Sequence, residues 1–243
     1  MPRIMTYNVH RCMGVDHKLD PGRIAAVIAQ ARPDIVALQE VDVGRSRTGG
    51  VDQAHAIAAR LGMAFHFNAA LKVQEEQYGD AILTSGELTL VKAGALPGSP
   101  DFKRLEPRGA LWVTIEIGGH RLQVLNTHLG LVPHEQRAQA RALVGPEWIG
   151  GASRRNPLIL LGDFNATPYQ AVYRTLARSL RDARASVAAA RASPTFPSRL
   201  PMLALDHVFV SRGVEVQAVR AVTAPLARLA SDHLPLVVDF ALP

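Results

Sequence analysis

Cysteine is almost absent from this sequence: Cys12 is the single thiol in 243 residues. That excludes an intramolecular disulfide and a zinc cluster built on several thiolates. Long apolar runs are missing too. No window approaches the roughly 18 apolar residues that a membrane-spanning helix needs, so stable membrane insertion is not expected. The N-terminus, Met1-Pro2-Arg3-Ile4-Met5-Thr6-Tyr7, enters an apolar run at once. It leaves no room for the basic, apolar and cleavage regions of a signal peptide, and a cytoplasmic location is the expectation. Fixed-period repeats and clean linkers are also lacking, which favours a single domain over residues 1–243 and a monomer.

What is present is ordinary for a globular chain with a sizeable core: 48% hydrophobic and 20% charged residues. The charge is not balanced. Lys and Arg number 27 against 21 Asp and Glu, a formal charge of +6. Such a surface suits a polyanionic partner, nucleic acid or an anionic lipid head group, although arginine-rich composition produces the same balance without one.

Strand-like and helix-like segments alternate along the whole length. Residues 4–9 read as a buried strand. Asp20-Pro21 supplies an N-cap and a first-turn proline, and Ile24, Val27, Ile28 and Ala31 follow at helical spacing, predicting a helix over 21–32. Residues 35–38 form a second short strand, and 52–61 a helix capped by Asp52 and closed at Gly62. Strands are then expected at 80–84, 88–95, 110–117 and 121–127, with Gly118-Gly119 turning the last pair as a hairpin. Helices follow at 134–145 and 168–178, and strands at 157–161, 206–210, 214–222 and 235–240. Two loops, 42–51 and 94–109, carry arginines, and the Arg-, Ala-, Ser- and Pro-rich stretch 178–201 is mobile unless it packs on something. Many strands with helices interspersed predict α+β layering.

Polar, metal-competent residues recur where apolar strands end or begin. Asn8 follows Ile4–Tyr7, Gln39-Glu40 follows Ile35–Leu38, and Asn126-Thr127-His128 follows Leu122–Leu125. Gly162-Asp163-Phe164-Asn165 follows Leu158–Leu161, Asp206-His207 opens Val208–Val210, and Ser231-Asp232-His233 precedes Leu234–Val238. Singly, each has a bland explanation as a turn residue, a structural pair or a cap. Together they place polar groups at one edge of a rigid scaffold, where a reactive constellation is held within tolerance. A carboxylate beside an Asn amide oxygen is a hard, all-oxygen site for Mg²⁺ or Mn²⁺. Two histidines and further aspartates supply acid, base and orienting partners.

In order along the chain, Thr6-Tyr7-Asn8, Leu38-Gln39-Glu40, Tyr78-Gly79-Asp80-Ala81-Ile82-Leu83, Asn126-Thr127-His128-Leu129, Gly162-Asp163-Phe164-Asn165, Leu205-Asp206-His207 and Ser231-Asp232-His233-Leu234-Pro235 form a series. It resembles the motif series of the exonuclease–endonuclease–phosphatase superfamily, the group that includes deoxyribonuclease I, and runs from residue 4 to about 240. The resemblance implies a four-layered α/β/β/α sandwich, two packed mixed sheets flanked by helices, with the site at one end. It implies that Glu40 binds a catalytic divalent metal, with Asn8 and Asp232 as ligands or supports. Asp163 and Asn165 then orient the attacking water and the phosphate, with Asp163 a candidate base. His233, oriented by Asp206, is to bond the scissile phosphate or act as base, and His128 to contact the phosphate or protonate the leaving oxygen. Tyr78, Arg45, Arg47 and Arg108 are the candidate substrate contacts, with Arg104 a further loop arginine. Two positions depart from the pattern: Asp80 stands where relatives often carry Asn, and His207 follows Asp206 where relatives often carry Tyr or Arg.

The implied activity is Mg²⁺- or Mn²⁺-dependent hydrolysis of phosphodiesters, with nucleic acid as the leading substrate. The alternatives are a phosphoesterase for phospholipid head groups or small phosphorylated metabolites, and a non-catalytic protein that keeps the fold for its basic face. The chain lacks a long aromatic or basic insertion of the kind that grips damaged duplex DNA. Around residues 42–53 and Thr195-Phe196-Pro197 it resembles a bacterial branch of small hydrolases.

Overall fold

A computed structural model describes residues 1–98, 105–151, 156–187 and 193–242. In chain order its elements are β1 (Arg3–Asn8), α1 (Pro21–Ala31), β2 (Ile35–Val43), α2 (Gln53–Leu61), β3 (Ala64–Val73), β4 (Glu76–Thr84) and β5 (Glu87–Ala95). Then come β6 (Gly109–Ile117), β7 (His120–His128), α3 (Pro133–Val144), β8 (Leu158–Asp163), α4 (Ala171–Ala177) and β9 (Arg181–Asp182). The last are β10 (Asp206–Val210), β11 (Glu215–Ala221), α5 (Pro225–Ala230) and β12 (Leu236–Ala241). The strands form two six-stranded sheets, ordered β11-β12-β1-β2-β4-β3 and β5-β6-β7-β8-β10-β9. Each sheet contains one parallel pair, β1 with β2 and β7 with β8, and its other neighbours run antiparallel.

Period-two alternation explains the layering. Ile4, Ile35, Ala37 and Ile82 of the first sheet face Leu111, Val113, Val124, Ile159, Leu161 and Val208 of the second, forming the inter-sheet core. Their neighbours Met5, Tyr7, Val36, Leu38 and Leu83 face outward onto Ile24, Val27 and Ile28 of α1, Ile57 of α2 and Ala227 of α5. On the other flank Leu125, Leu158, Leu160 and Phe209 pack under Ala140 and Leu143 of α3 and Val172 and Leu176 of α4. This is the expected α/β/β/α sandwich. No helix among the described residues is long and apolar enough to cross a membrane.

The local signals act as read from the sequence. The Asp20 side chain accepts from the Arg23 amide and that of Asp52 from the His55 amide, and Gly62 ends α2 in the left-handed region. Differences lie at weak signals. β3 gives little sequence signal because most of it is only partly buried and its alternation is poor, and α5 because it spans six residues. The helix expected at 168–178 is only Ala171–Ala177. β2 runs on to Val43 through a register shift between Leu38 and Val41, which turns Glu40 into the left-handed region at φ 60°. The stretch 178–201 does pack where it is described: Ala183, Arg184, Thr195 and Ser198 are buried. Lys103 and Arg104 of the second arginine loop lie outside the described residues.

At one end the inter-sheet core becomes polar. Asn126 on β7, fully buried, donates to the carbonyls of Leu38 (2.8 Å) and Ala81 (3.0 Å) across the sheets. Its own carbonyl accepts from Gln39 Nε2 at 2.7 Å. Gly162 sits in the same region at φ 146°, where a Cβ would collide with the Thr127 carbonyl. Only glycine lets β8 approach β7 so closely just before Asp163.

Candidate active site

The C-terminal ends of both parallel pairs meet at this polar end. β1 delivers Asn8, β2 Glu40, β7 His128 and β8 Asp163, while β10 brings Asp206 and the segment before β12 brings Asp232 and His233. Asn8 ties the halves together: its Nδ2 donates to Glu40 Oε1 and to Asp163 Oδ2, each at 3.0 Å. Asp163 is buried, accepts from the Asn165 amide at 2.8 Å, and lies 3.5 Å from His128 Nε2 and 3.6 Å from His233 Nε2. Asn165, in the left-handed region, donates its amide to the Leu129 carbonyl at 3.0 Å.

The two histidines are set to different states. His233 Nδ1 bonds Asp206 Oδ2 at 2.9 Å. Burial disfavours its charged form, but the carboxylates of Asp206 and Asp163 outweigh that and raise its pKa to about 10. His233 is an imidazolium at neutral pH, with Nε2–H facing Asp163. His128 is lowered well below the ordinary value by burial, by Arg108 and by His233. Arg108 Nη1 meets His128 Nδ1 at 3.0 Å, and a guanidinium only donates. Asn165 Nδ2 meets Nε2 at 3.0 Å as well, so both ring nitrogens face donor groups, with Asp163 Oδ2 3.5 Å from Nε2. Asp163 itself is raised to about 7, chiefly by burial and further by Asp206, with His233 and its hydrogen bonds opposing.

These groups line a pocket of about 350 Å³ together with Asp232, Tyr78, Arg47 and Arg108. Asn8 and Asp206 stand behind its wall, where they hold Glu40, Asp163 and His233. Among the candidate substrate contacts Arg45 falls outside the lining and instead pairs with Glu76 at 3.1 Å. Arg47 is gripped bidentately by buried Asp42 (2.7 and 2.8 Å) and lies over the Tyr78 ring. Sequence reasoning missed His10, Arg11, Glu106, Leu131 and Phe196, which also line the pocket. His10 and Arg11 follow Asn8 by two and three residues, both at positive φ, so the end of β1 was the signal that pointed to them.

The two departures have different consequences. Asp80 is buried beside the site; burial lifts its pKa to about 8, with Arg108 opposing and Glu40 adding to the rise. His207 points to the opposite face of β10 from Asp206. Its Nε2 donates to the Ala166 carbonyl at 2.7 Å, and its Nδ1 lies 3.1 Å from Arg184 Nη1 and 3.3 Å from Asp182 Oδ2. It braces the turn carrying Asn165 and does not enter the pocket.

A hard divalent cation fits the donors. Glu40 is half-buried, faces the pocket, and has no Lys or Arg partner among the described residues. Half-exposed Asp232 adds a second carboxylate to the wall, while Asn8 behind it holds Glu40 in place through Nδ2. Asp163, Asp206 and His233 also cluster, with one ligand atom from each within 4.8 Å of the others. There, however, His233 already spends Nδ1 on Asp206 and carries a proton, so the Glu40 side is the better cation site.

A buried carboxylate between a protonated and a neutral histidine, with arginines at the mouth, in a two-sheet sandwich, defines a hydrolase of phosphoester bonds. The Endonuclease/Exonuclease/phosphatase family model matches residues 5–233, and the chain belongs to that family. It is 24% identical over 251 residues to YbhP of Escherichia coli K12, covering 99% of this chain and 96% of YbhP. Among solved structures, a mannosyl-6-phosphatase of Bacteroides thetaiotaomicron superposes with a TM-score of 0.79 at 19% identity, over 100% of both chains. The human Nocturnin catalytic domain with bound sulfate superposes with a TM-score of 0.75 at 22% identity, over 100% of this chain and 93% of that one. These two likenesses are of fold.

Proposed function

We propose that the protein is a Mg²⁺- or Mn²⁺-dependent phosphodiesterase. The observation that carries this reading is the convergence of Glu40, Asp163, Asn165, His128 and His233 with Arg11, Arg47 and Arg108 in one pocket. Glu40 and Asp232 would hold the cation, with Asn8 positioning Glu40, and when bound the cation neutralises the phosphate and polarises it toward attack. Asp163, with a pKa of about 7, is the group suited to take the proton of the attacking water. Asn165 positions that water and the phosphate. The imidazolium of His233 donates to an oxygen where charge develops, and His128 and Arg108 contact the anion.

The pH profile follows from these states. Asp163 accepts a proton only when ionised, so kcat/KM should fall as pH drops below about 7. His233 donates only when protonated, so activity should fall again as pH rises through about 10. Asp206→Asn removes the anion that holds His233 protonated, and the alkaline limb should then move down by about 1–3 units. An alkaline limb unmoved in that variant would refute the donor role of His233.

The positive balance supports an anionic substrate, and nucleic acid is the first class to assay. A pocket of about 350 Å³ sits at the small end of ligand sites. It favours a phosphate on a slim carrier, such as a strand end, a lipid head group or a small phosphoester, over a rigid duplex lying across the mouth. The deciding experiment is a panel of plasmid, single-stranded DNA, RNA, phospholipids and inositol phosphates with Mg²⁺ or Mn²⁺, with and without chelator. Chelator-sensitive turnover is expected on at least one class. Salt-sensitive binding with no turnover on any of them would replace this reading with the non-catalytic one.

A further inference from the structure

The turn that brings Phe196 to the pocket also carries apolar side chains that the fold leaves uncovered. Leu200 and Met202 are each 68% exposed and Leu203 41%. The turn is stapled. Leu203 and Met202 donate to the Phe196 carbonyl, Thr195 and Phe196 donate to the Leu203 carbonyl, and Leu200 donates to that of Pro197. The Ser198 amide donates to the Asp232 carbonyl at 2.7 Å, fastening the turn to the segment that carries His233. Isolated exposed apolar residues are ordinary. Three within four positions, on a rigid turn beside an active-site mouth, form a patch. Leu131, another pocket-lining residue, is also 68% exposed.

Charge says what such a patch complements. From Ser193 to Leu205 there is no acidic residue, and Arg199 is exposed. Arg199 donates to the Val15 carbonyl at 3.2 Å, which sets exposed Lys18 and Leu19 on the neighbouring loop. On that loop Asp16 pairs with Arg23, and Asp20 caps α1 with its charge intact, while Arg199 and Lys18 have no carboxylate ion pair among the described residues. Apolar tips among unneutralised cations match the boundary between anionic head groups and acyl chains.

We propose that residues 196–203 form a docking turn that seats the pocket mouth on an anionic lipid surface, and that the substrate phosphate belongs to a lipid head group. This rests on the phosphoesterase reading of the pocket. Hydrolysis there consumes one water. Its oxygen bonds to phosphorus, the bond from phosphorus to the leaving alcohol oxygen breaks, and the proton taken by Asp163 is matched by one delivered to that alcohol.

The test uses the full chain and flotation with phosphatidylcholine vesicles with and without phosphatidylglycerol. Wild type should float only with the anionic vesicles. Leu200→Ser combined with Met202→Ser should weaken partitioning about a hundredfold, since each lost apolar side chain is worth roughly tenfold. Turnover of soluble bis(para-nitrophenyl) phosphate by that variant should stay within about twofold of wild type, as for a surface change. A dye on Met202→Cys, selective because Cys12 is buried, should shift to the blue on anionic vesicles. The proposal is overturned if the double variant floats like wild type, if wild type does not float, or if the substitutions weaken DNA binding equally. It is also overturned if wild type forms a dimer that the double substitution abolishes, which would make the patch a contact between copies. If wild type docks but cleaves no ester, docking stands and the phosphoesterase reading fails.

Discussion

Asp163→Asn is expected to lower kcat about 10³-fold or more, within the range for loss of a positioned base. Donors surround this carboxylate: the Asn165 amide at 2.8 Å, Asn8 Nδ2 at 3.0 Å and the imidazolium Nε2–H of His233 at 3.6 Å, with His128 Nε2 at 3.5 Å. An amide has the same shape but must turn one N–H₂ toward a donor, so the variant loses both the base and one hydrogen bond. Circular dichroism and thermal melting separate the effects; the variant should melt cooperatively while remaining inactive. Activity within tenfold of wild type would remove Asp163 from the chemistry.

Glu40→Gln should cost about 10²–10³-fold in kcat/KM and raise the apparent Mg²⁺ constant by at least about 100-fold. The substitution is a narrow one. Asn8 Nδ2 donates to Oε1 at 3.0 Å, and a glutamine oxygen accepts that bond as well, so the change removes charge and little geometry. Titrating activity against Mg²⁺ and then Mn²⁺ should show partial recovery at high metal. An unaltered metal dependence would move the cation to the Asp163, Asp206 and His233 cluster.

The strands were legible as short apolar runs, while their division into two packed sheets was implied by the ordered motif series. Met5 and Tyr7 face one layer while Ile4 faces the other, and the caps at Asp20 and Asp52 are strong local signals. β3 was not legible, since an edge strand whose residues are mostly only partly buried carries little pattern. The candidate site was readable wherever a polar group ends an apolar run, as at Asn8, His128 and Asp163. Glu40 was identified, but the register shift that swings it into the pocket is a property of strand pairing and has no local code. Arg45 and Arg47 look equivalent in sequence and differ only because Glu76 and Asp42 lie opposite them in space. Phe196 was quoted only as part of a motif, and nothing local marks it as a pocket wall.

The place of β1 also sets when the molecule can become active. β1 lies between β2 and β12, with Thr6 opposite Leu236, so β1 pairs with a strand some 230 residues further along the chain. Until that strand emerges, one edge of β1 is an open row of peptide groups, a template for wrong partners. Asn8 has its carbonyl held by the Ser231 hydroxyl at 2.8 Å, and His233 follows two residues later. A chain in which that segment has not docked holds Glu40, His128 and Asp163 without His233, so the pocket is completed only when the segment carrying Ser231 and His233 closes onto the end of β1.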